Sequence, residues 1–176
     1  MSKKLIGEDR RKQILQWLRQ ADRPTTGSAL ADRANVSRQV IVQDITLLKA
    51  QNHPIMATSN GYLYVQAQDN RNRTEKVIAC NHRPDQTRDE LYTIVDHGAM
   101  VKNVVIEHPI YGDLEASLMI SNRAEVDQFI EKIAEKKAPY LLELTDGVHN
   151  HTITADQEWK LEGAYQALKE KGYIVH

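Results

Sequence analysis

The sequence predicts an α+β chain in two parts, on three observations. The first third reads as short amphipathic helices closed by a hairpin, a polar stretch follows, and from residue 76 onward strand-like and helical periods alternate. Charge divides along the same line. Residues 1–65 carry 10 Lys and Arg against 5 Asp and Glu, and the remainder 13 against 19, so the net charge of −1 conceals a basic front and an acidic back. A basic segment of that kind suits a polyanionic partner.

Residues 8–21 place Ile14, Trp17, Leu18 and Ala21 at the i, i+3, i+4, i+7 spacing of one helix face. Arg23-Pro24-Thr25-Thr26 stops that helix, since Pro cannot continue it and Thr favours the cap of the next. A short helix through Leu30 and Ala34 leads to the turn Asn35-Val36-Ser37. Ser37 caps a stretch to Ala50 in which Ile41, Ile45 and Leu48 share one face. The other face carries Arg38, Gln39, Gln43 and Thr46. Arg can bond guanine through two donors, and Gln can pair with adenine through one donor and one acceptor. The stretch therefore reads as a recognition helix for the DNA major groove, with an ordinary solvated polar face as the alternative.

Residues 55–59 and 62–65 flank Asn60-Gly61, a strong signal for a two-residue hairpin turn. Three helices and a hairpin make residues 1–66 a winged helix-turn-helix. Their order resembles the winged-helix domains that open many bacterial one-component repressors, including the biotin-repressor type. That resemblance implies base contacts for Arg38, Gln39 and Gln43 and a phosphate contact for Ser37. One departure is that residues 55–65 contain no Lys or Arg, which argues against a wing contact to phosphates.

Residues 67–75 are polar and aperiodic, the pattern of a linker. Strands are predicted at 76–81, 100–107, 114–120, 140–144 and 148–154, with residues 173–175 placed to close the sheet. A helix over 86–97 carries Leu91, Ile94 and Val95, with Gly98 as its cap. Another follows the reciprocal cap Asn122 and Glu125 and carries Val126, Phe129, Ile130 and Ile133. The last is expected from Thr154, with Leu161, Ala164, Tyr165 and Leu168 inward and Gly172 at its end. Strand, helix, strand, strand, helix, strand over residues 76–176 is the split βαβ, ferredoxin-like pattern, extended at its end.

Several classes are disfavoured. No apolar run approaches the roughly 20 residues of a membrane span, and the charged N-terminal stretch lacks a signal-peptide core. Cys80 is the only cysteine, which precludes an internal disulfide framework and fits a reducing cytoplasm. Gly-x-Ser-x-Gly, a Gly-rich phosphate loop and His-Glu-x-x-His are all missing, so the chain does not read as an enzyme. Cys80 lies in an apolar strand pattern and reads as a small buried hydrophobe rather than a nucleophile.

The histidines point elsewhere. His149-Asn150-His151 lies in a strand-like run, where residues two apart share a face. His82 ends the first strand of this part, and Glu90 lies in the helix that follows. If that helix covers the same sheet face, three imidazoles and a carboxylate converge, a donor set for nickel, zinc, cobalt or iron(II). Histidines so spaced can also be merely hydrogen-bonded or solvated.

Residues 76–176 resemble the 3H domain, a small-molecule-binding α+β domain named for its histidines. With the winged helix in front, nearly the whole chain is similar to the nicotinate-responsive transcriptional repressors of Firmicutes and Thermotogae. The matching stretches are residues 37–50, Asn81-His82, Asp89-Glu90-Leu91-Tyr92, Val95-Asp96-His97-Gly98, His108-Pro109-Ile110-Tyr111-Gly112, and Asp146-Gly147-Val148-His149-Asn150-His151-Thr152. The resemblance implies His82, Glu90, His149 and His151 as ligands of nickel or zinc, and no ligand role for His97 or His108. It also implies nicotinic acid as co-repressor, a homodimer on operator DNA, and genes of NAD-precursor uptake and synthesis as targets. An inverted repeat is expected because one recognition helix covers few base pairs, and the dimer contacts are expected in residues 76–176. A pyridine nitrogen could fill an open position on the metal, with a cation or backbone N–H holding the carboxylate; no residue stands out for that. Two rivals are a metal-dependent hydrolase fused to a DNA anchor and a repressor that senses the metal itself.

Overall fold

Ile14 and Leu18 of α1 (Gly7–Gln20), Leu30 and Ala34 of α2 (Gly27–Ala34), and Ile41, Ile45 and Leu48 of α3 (Arg38–Ala50) meet in one core. The computed structural model describes residues 6–65 and 72–175. By its contacts the chain divides into two units, Met1–Asp69 and Asn70–His176. Thr26 caps α2 by accepting from the Ala29 N–H at 3.1 Å, and Ser37 caps α3 through the Val40 N–H at 3.4 Å. The inward stripe of α3 also holds a charge. Asp44 is 2% exposed, and Arg10 Nε reaches its carboxylate at 2.5 Å, with Arg11 Nη1 at 3.5 Å.

Strands β1 (Ile55–Thr58) and β2 (Gly61–Tyr64) form the hairpin. Thr58 pairs with Gly61, so the two turn residues are Ser59 and Asn60 rather than Asn60 and Gly61. Thr58 directs this by accepting the Asn60 N–H and donating to the Gly61 carbonyl. Gly61 is needed for another reason. Its φ is +125°, and a Cβ there would lie 2.5 Å from the Thr25 carbonyl, where residue 25 bridges to Tyr62. The expected linker, residues 67–75, falls outside the described residues up to 71; Thr74 and Glu75 already belong to the next strand.

The second unit is α+β as expected. Strands β3 (Thr74–Asn81), β4 (Met100–His108), β5 (Gly112–Ile120) and β6 (Val148–Ala155) stand in the order β3-β6-β4-β5, all antiparallel. Helices α4 (Thr87–Asp96), α5 (Arg123–Lys136) and α6 (Glu158–Glu170) share one core with the sheet. Each βαβ connection is split by a strand from elsewhere: β6 lies between β3 and β4, and β4 between β5 and β6. Ile78, Cys80, His149, His151, Ile153 and Ala155 turn to the helices, while Val77 on the opposite face is exposed.

Three local expectations are corrected. Residues 140–144 are not a strand; Leu141–Thr145 is a 3-10 helix. The Glu143 carboxylate takes the Tyr140 N–H at 2.6 Å, a local bond that competes with a ladder. Thr154 does not cap the last helix, because β6 keeps pairing with β3 through Ala155. Asn122 does cap α5, but Glu125 reaches back to the Ser121 N–H. Residues 173–175 do reach the sheet edge, where Asn81 N–H donates to the Tyr173 carbonyl and Val175 N–H to that of Ala79.

Asp44 is buried, but its partners Arg10 and Arg11 keep 13% and 24% of their side-chain surface in solvent and can rehydrate, so losing the charged hydrogen bonds costs about 1.5–3 kcal/mol. Asp44→Ala is therefore expected to lower the urea midpoint of the N-terminal unit by a corresponding amount, followed by circular dichroism.

Candidate metal centre

β6 places His149 and His151 on its inward face, and the cross-strand partners Cys80 and Ile78 lie opposite them on β3. α4 packs over that face and turns Thr87, Glu90, Leu91 and Ile94 toward it. His82, just past β3, completes the cluster. The structure thus brings all four predicted residues together, three imidazoles around one carboxylate. His82 Nε2 lies 2.7 Å from Glu90 Oε2, His149 Nε2 3.1 Å from Oε1, and His151 Nε2 3.3 Å from Oε2. Glu90 is 0% exposed and no histidine of the three exceeds 6%.

Each imidazole is oriented from behind. Nδ1 of His82 sits 2.8 Å from the Arg83 carbonyl, that of His149 2.8 Å from the Gly147 carbonyl, and that of His151 2.6 Å from the Asn103 carbonyl. A carbonyl only accepts, so Nδ1 carries a proton, and in the neutral ring Nε2 is left with a lone pair. Such outer hydrogen bonds are typical of metal-binding histidines. Sequence reasoning missed the residues that supply them. Asn103 stands at a bulge where β4 has one residue more than β6 between the Val101–Ile153 and Val105–Asn150 pairs. There its carbonyl turns to His151 while its amide bonds Thr152 N–H and Glu115. The polar residue in the apolar strand 100–107 was the available signal. Gly147 has φ +99°, and a Cβ on it would meet the His82 carbonyl at 2.5 Å.

These residues fit a divalent transition metal. His82 Nε2 is buried and has no hydrogen-bond partner despite its approach to Glu90. Donors each ~2.1 Å from a shared ion stand ~3–3.4 Å apart, close to the spacings here. Three nitrogens and one carboxylate oxygen suit nickel or zinc. Cys80 Sγ also lies within 4.8 Å of the ligand atoms of Glu90 and His149. Burial, then the Glu90 charge, pushes its thiol up, so it stays neutral and packs as the expected hydrophobe. His97 and His108 have local tasks: His97 Nδ1 bonds the Thr93 carbonyl, and His108 Nδ1 accepts from Ile110 and Tyr111 N–H.

A cavity of about 160 Å³ opens beside the centre. Glu90, His149 and His151 line it, and Leu91, Leu118 and Phe129 are among its apolar walls. No Lys or Arg lines it among the described residues.

In the N-terminal unit, Ser37, Arg38, Gln39 and Gln43 are all exposed on α3. Thr46 instead turns its hydroxyl back to the Val42 carbonyl at 2.8 Å.

Comparison with known proteins agrees with both halves. Residues 10–63 match the HTH domain model and residues 75–176 the 3H domain model. The chain belongs to the transcription repressors that join a helix-turn-helix to a 3H domain. It is 53% identical over 98% of its length to "Transcription repressor NadR" of Bacillus subtilis, covering 96% of that protein. It is 35% identical over 99% of its length to "Probable transcription repressor NiaR" of Thermotoga maritima, covering 98%. Both relatives are described as transcription repressors, the second as a probable one. No helix of the described residues is long and apolar enough to cross a membrane.

Without metal, burial opposes the charge on Glu90, but the three imidazoles outweigh it and hold its carboxyl well below the usual 4.5. Burial likewise opposes protonation of His82 and His151, and Glu90 outweighs it, raising both above 6.5. The carboxylate contribution to stability is present above about pH 4.5 and is lost as pH falls through the lowered value. The imidazole contribution is complete below about pH 6.5 and is lost as pH rises through the raised values. Thermal melts of chelator-treated protein are expected to fall from pH 6.5 upward. Metal-loaded protein should hold its melting temperature there, because the ion needs neutral imidazoles.

Proposed function

We propose that the chain is a cytoplasmic, homodimeric repressor of nicotinate uptake and NAD-precursor synthesis genes, with nicotinic acid as co-repressor at a nickel or zinc centre. The observation that carries this is the convergence of three buried Nε2 atoms on Glu90, which with His149 and His151 lines an apolar, one-ring cavity. A dry apolar cavity of roughly 150 Å³ holds a benzene, so 160 Å³ suits a single pyridine ring. His82, Glu90, His149 and His151 would hold the ion, which when bound supplies a positive pole in a site otherwise short of cations. Leu91, Leu118 and Phe129 would supply apolar contacts to the ring.

The effector need only bind the DNA-competent form of the dimer more tightly than its alternative, and 1.4 kcal/mol of difference is a tenfold shift. Ser37, Arg38, Gln39 and Gln43 make the DNA contacts in this reading, on an inverted repeat matching the two-fold axis of the dimer.

Titration of labelled upstream DNA of nicotinate-uptake genes at fixed nickel or zinc tests the reading. Nicotinate is expected to tighten binding, and His149→Ala with His151→Ala to abolish that response while weaker DNA binding persists. Binding that follows metal and ignores nicotinate would identify a metal sensor instead. In the same assay Gln43→Ala should cost about 1–3 kcal/mol on the cognate sequence and little on unrelated DNA.

A further inference from the structure

Thr87 opens α4 one helical turn before Glu90, and the two face the same cavity. Residues three apart on a helix lie roughly 5–6 Å apart at Cβ, about the width of one aromatic ring. The Thr87 side chain has a feature that the fold does not use. Its residue is 5% exposed, and its Oγ1 is buried with no hydrogen-bond partner. A buried hydroxyl left unpaired costs stability, so its retention at a cavity wall points to a partner that arrives with a ligand.

The cavity also constrains how an aromatic acid can sit. A carboxylate among apolar walls without a counter-charge is strongly disfavoured. Among the described residues no Lys or Arg lines the space, and Arg88, next to Thr87 on α4, is already paired with Asp127 at 2.9 Å. Nor does the start of α4 offer a free anion site, because a 3-10 turn (Pro84–Gln86) runs into it and the Thr87 N–H bonds the Pro84 carbonyl. The remaining pole is the histidine cluster, where a divalent ion less the charge of Glu90 leaves a net positive charge. The acid group therefore turns to the histidines, and a ring nitrogen meta to it faces the other polar groups of the lining. Those are Thr87 and the phenol of Tyr140. Tyr140 is only half-buried and stacks edge-on with Phe129 at 6.3 Å, so Thr87 is the buried donor without a partner.

Building on the co-repressor reading above, we propose that Thr87 is the specificity residue that donates its hydroxyl to the ring nitrogen of a pyridine carboxylate whose acid group faces the histidines. This reverses the orientation expected from sequence, in which the pyridine nitrogen met the metal. It also gives the cavity a means to tell nicotinate from a plain aromatic acid of the same size.

The test is isothermal titration of full-length, metal-loaded protein with nicotinate and with benzoate, which keeps ring and acid but replaces the ring nitrogen by C–H. Wild type is expected to bind nicotinate about tenfold more tightly, the worth of one hydrogen bond to a buried group. Thr87→Val and Thr87→Ala, which lose the hydroxyl with and without filling its space, should bind the two acids equally and keep the benzoate affinity of wild type. Thr87→Ser should restore the preference. A nicotinate preference that survives in either the Val or the Ala variant overturns the proposal, as does its loss in Tyr140→Phe alone. Wild type binding both acids equally overturns ring-nitrogen recognition but leaves the co-repressor reading standing. Wild type binding neither acid overturns both.

Discussion

The second unit depends on one buried carboxylate. Glu90 is fully enclosed, and a charge so placed persists only with partners that are themselves fixed. Its partners are three imidazoles whose orientation is set not by one another but by backbone carbonyls behind them. Those carbonyls come from the turn after β3, from a glycine before β6 and from a bulge in β4. The irregular points of the sheet are thus the points that aim the donors. Regular strands would leave the Nδ1 atoms of His149 and His151 without these acceptors.

The N-terminal unit also buries a carboxylate, with a different result. Asp44 is held by the guanidinium groups of Arg10 and Arg11. That pairing fixes α1 against the back of α3 and presents Arg38, Gln39 and Gln43 from a rigid base. Glu90 is held instead by three imidazoles, and it raises the proton affinity of two of them, His82 and His151. The first pairing joins two helices, and the second gathers a strand, a turn and a helix around one carboxylate.

How much of this was legible in the sequence depended on whether the signal was local. The 3.6 period of Ile41, Ile45 and Leu48 fixed the face of α3, and the His-x-His period fixed the face of β6. Asp44 was invisible because its partners lie 33 and 34 residues away. Apolar content alone suggested a strand at residues 140–144, where Glu143 closes a tight turn on the Tyr140 N–H. The hairpin turn was misplaced by one residue because Thr58, not the Asn-Gly pair, bonds both sides of it. Asn103 and Thr87 were passed over because their roles depend on the bulge and the cavity, which the sequence does not display.

The sheet order carries a consequence for how the chain acquires its centre. β3 and β4 are made early yet do not pair with each other; the place between them belongs to β6, which is made after α4, β4, β5 and α5. Until β6 slots in, β3 has no neighbouring strand and the centre has no second histidine. Entry one residue out of step would turn His149 and His151 to the open face together. Assembly of the histidine cluster is therefore a late, long-range event in biogenesis, possible in only one alignment of β6.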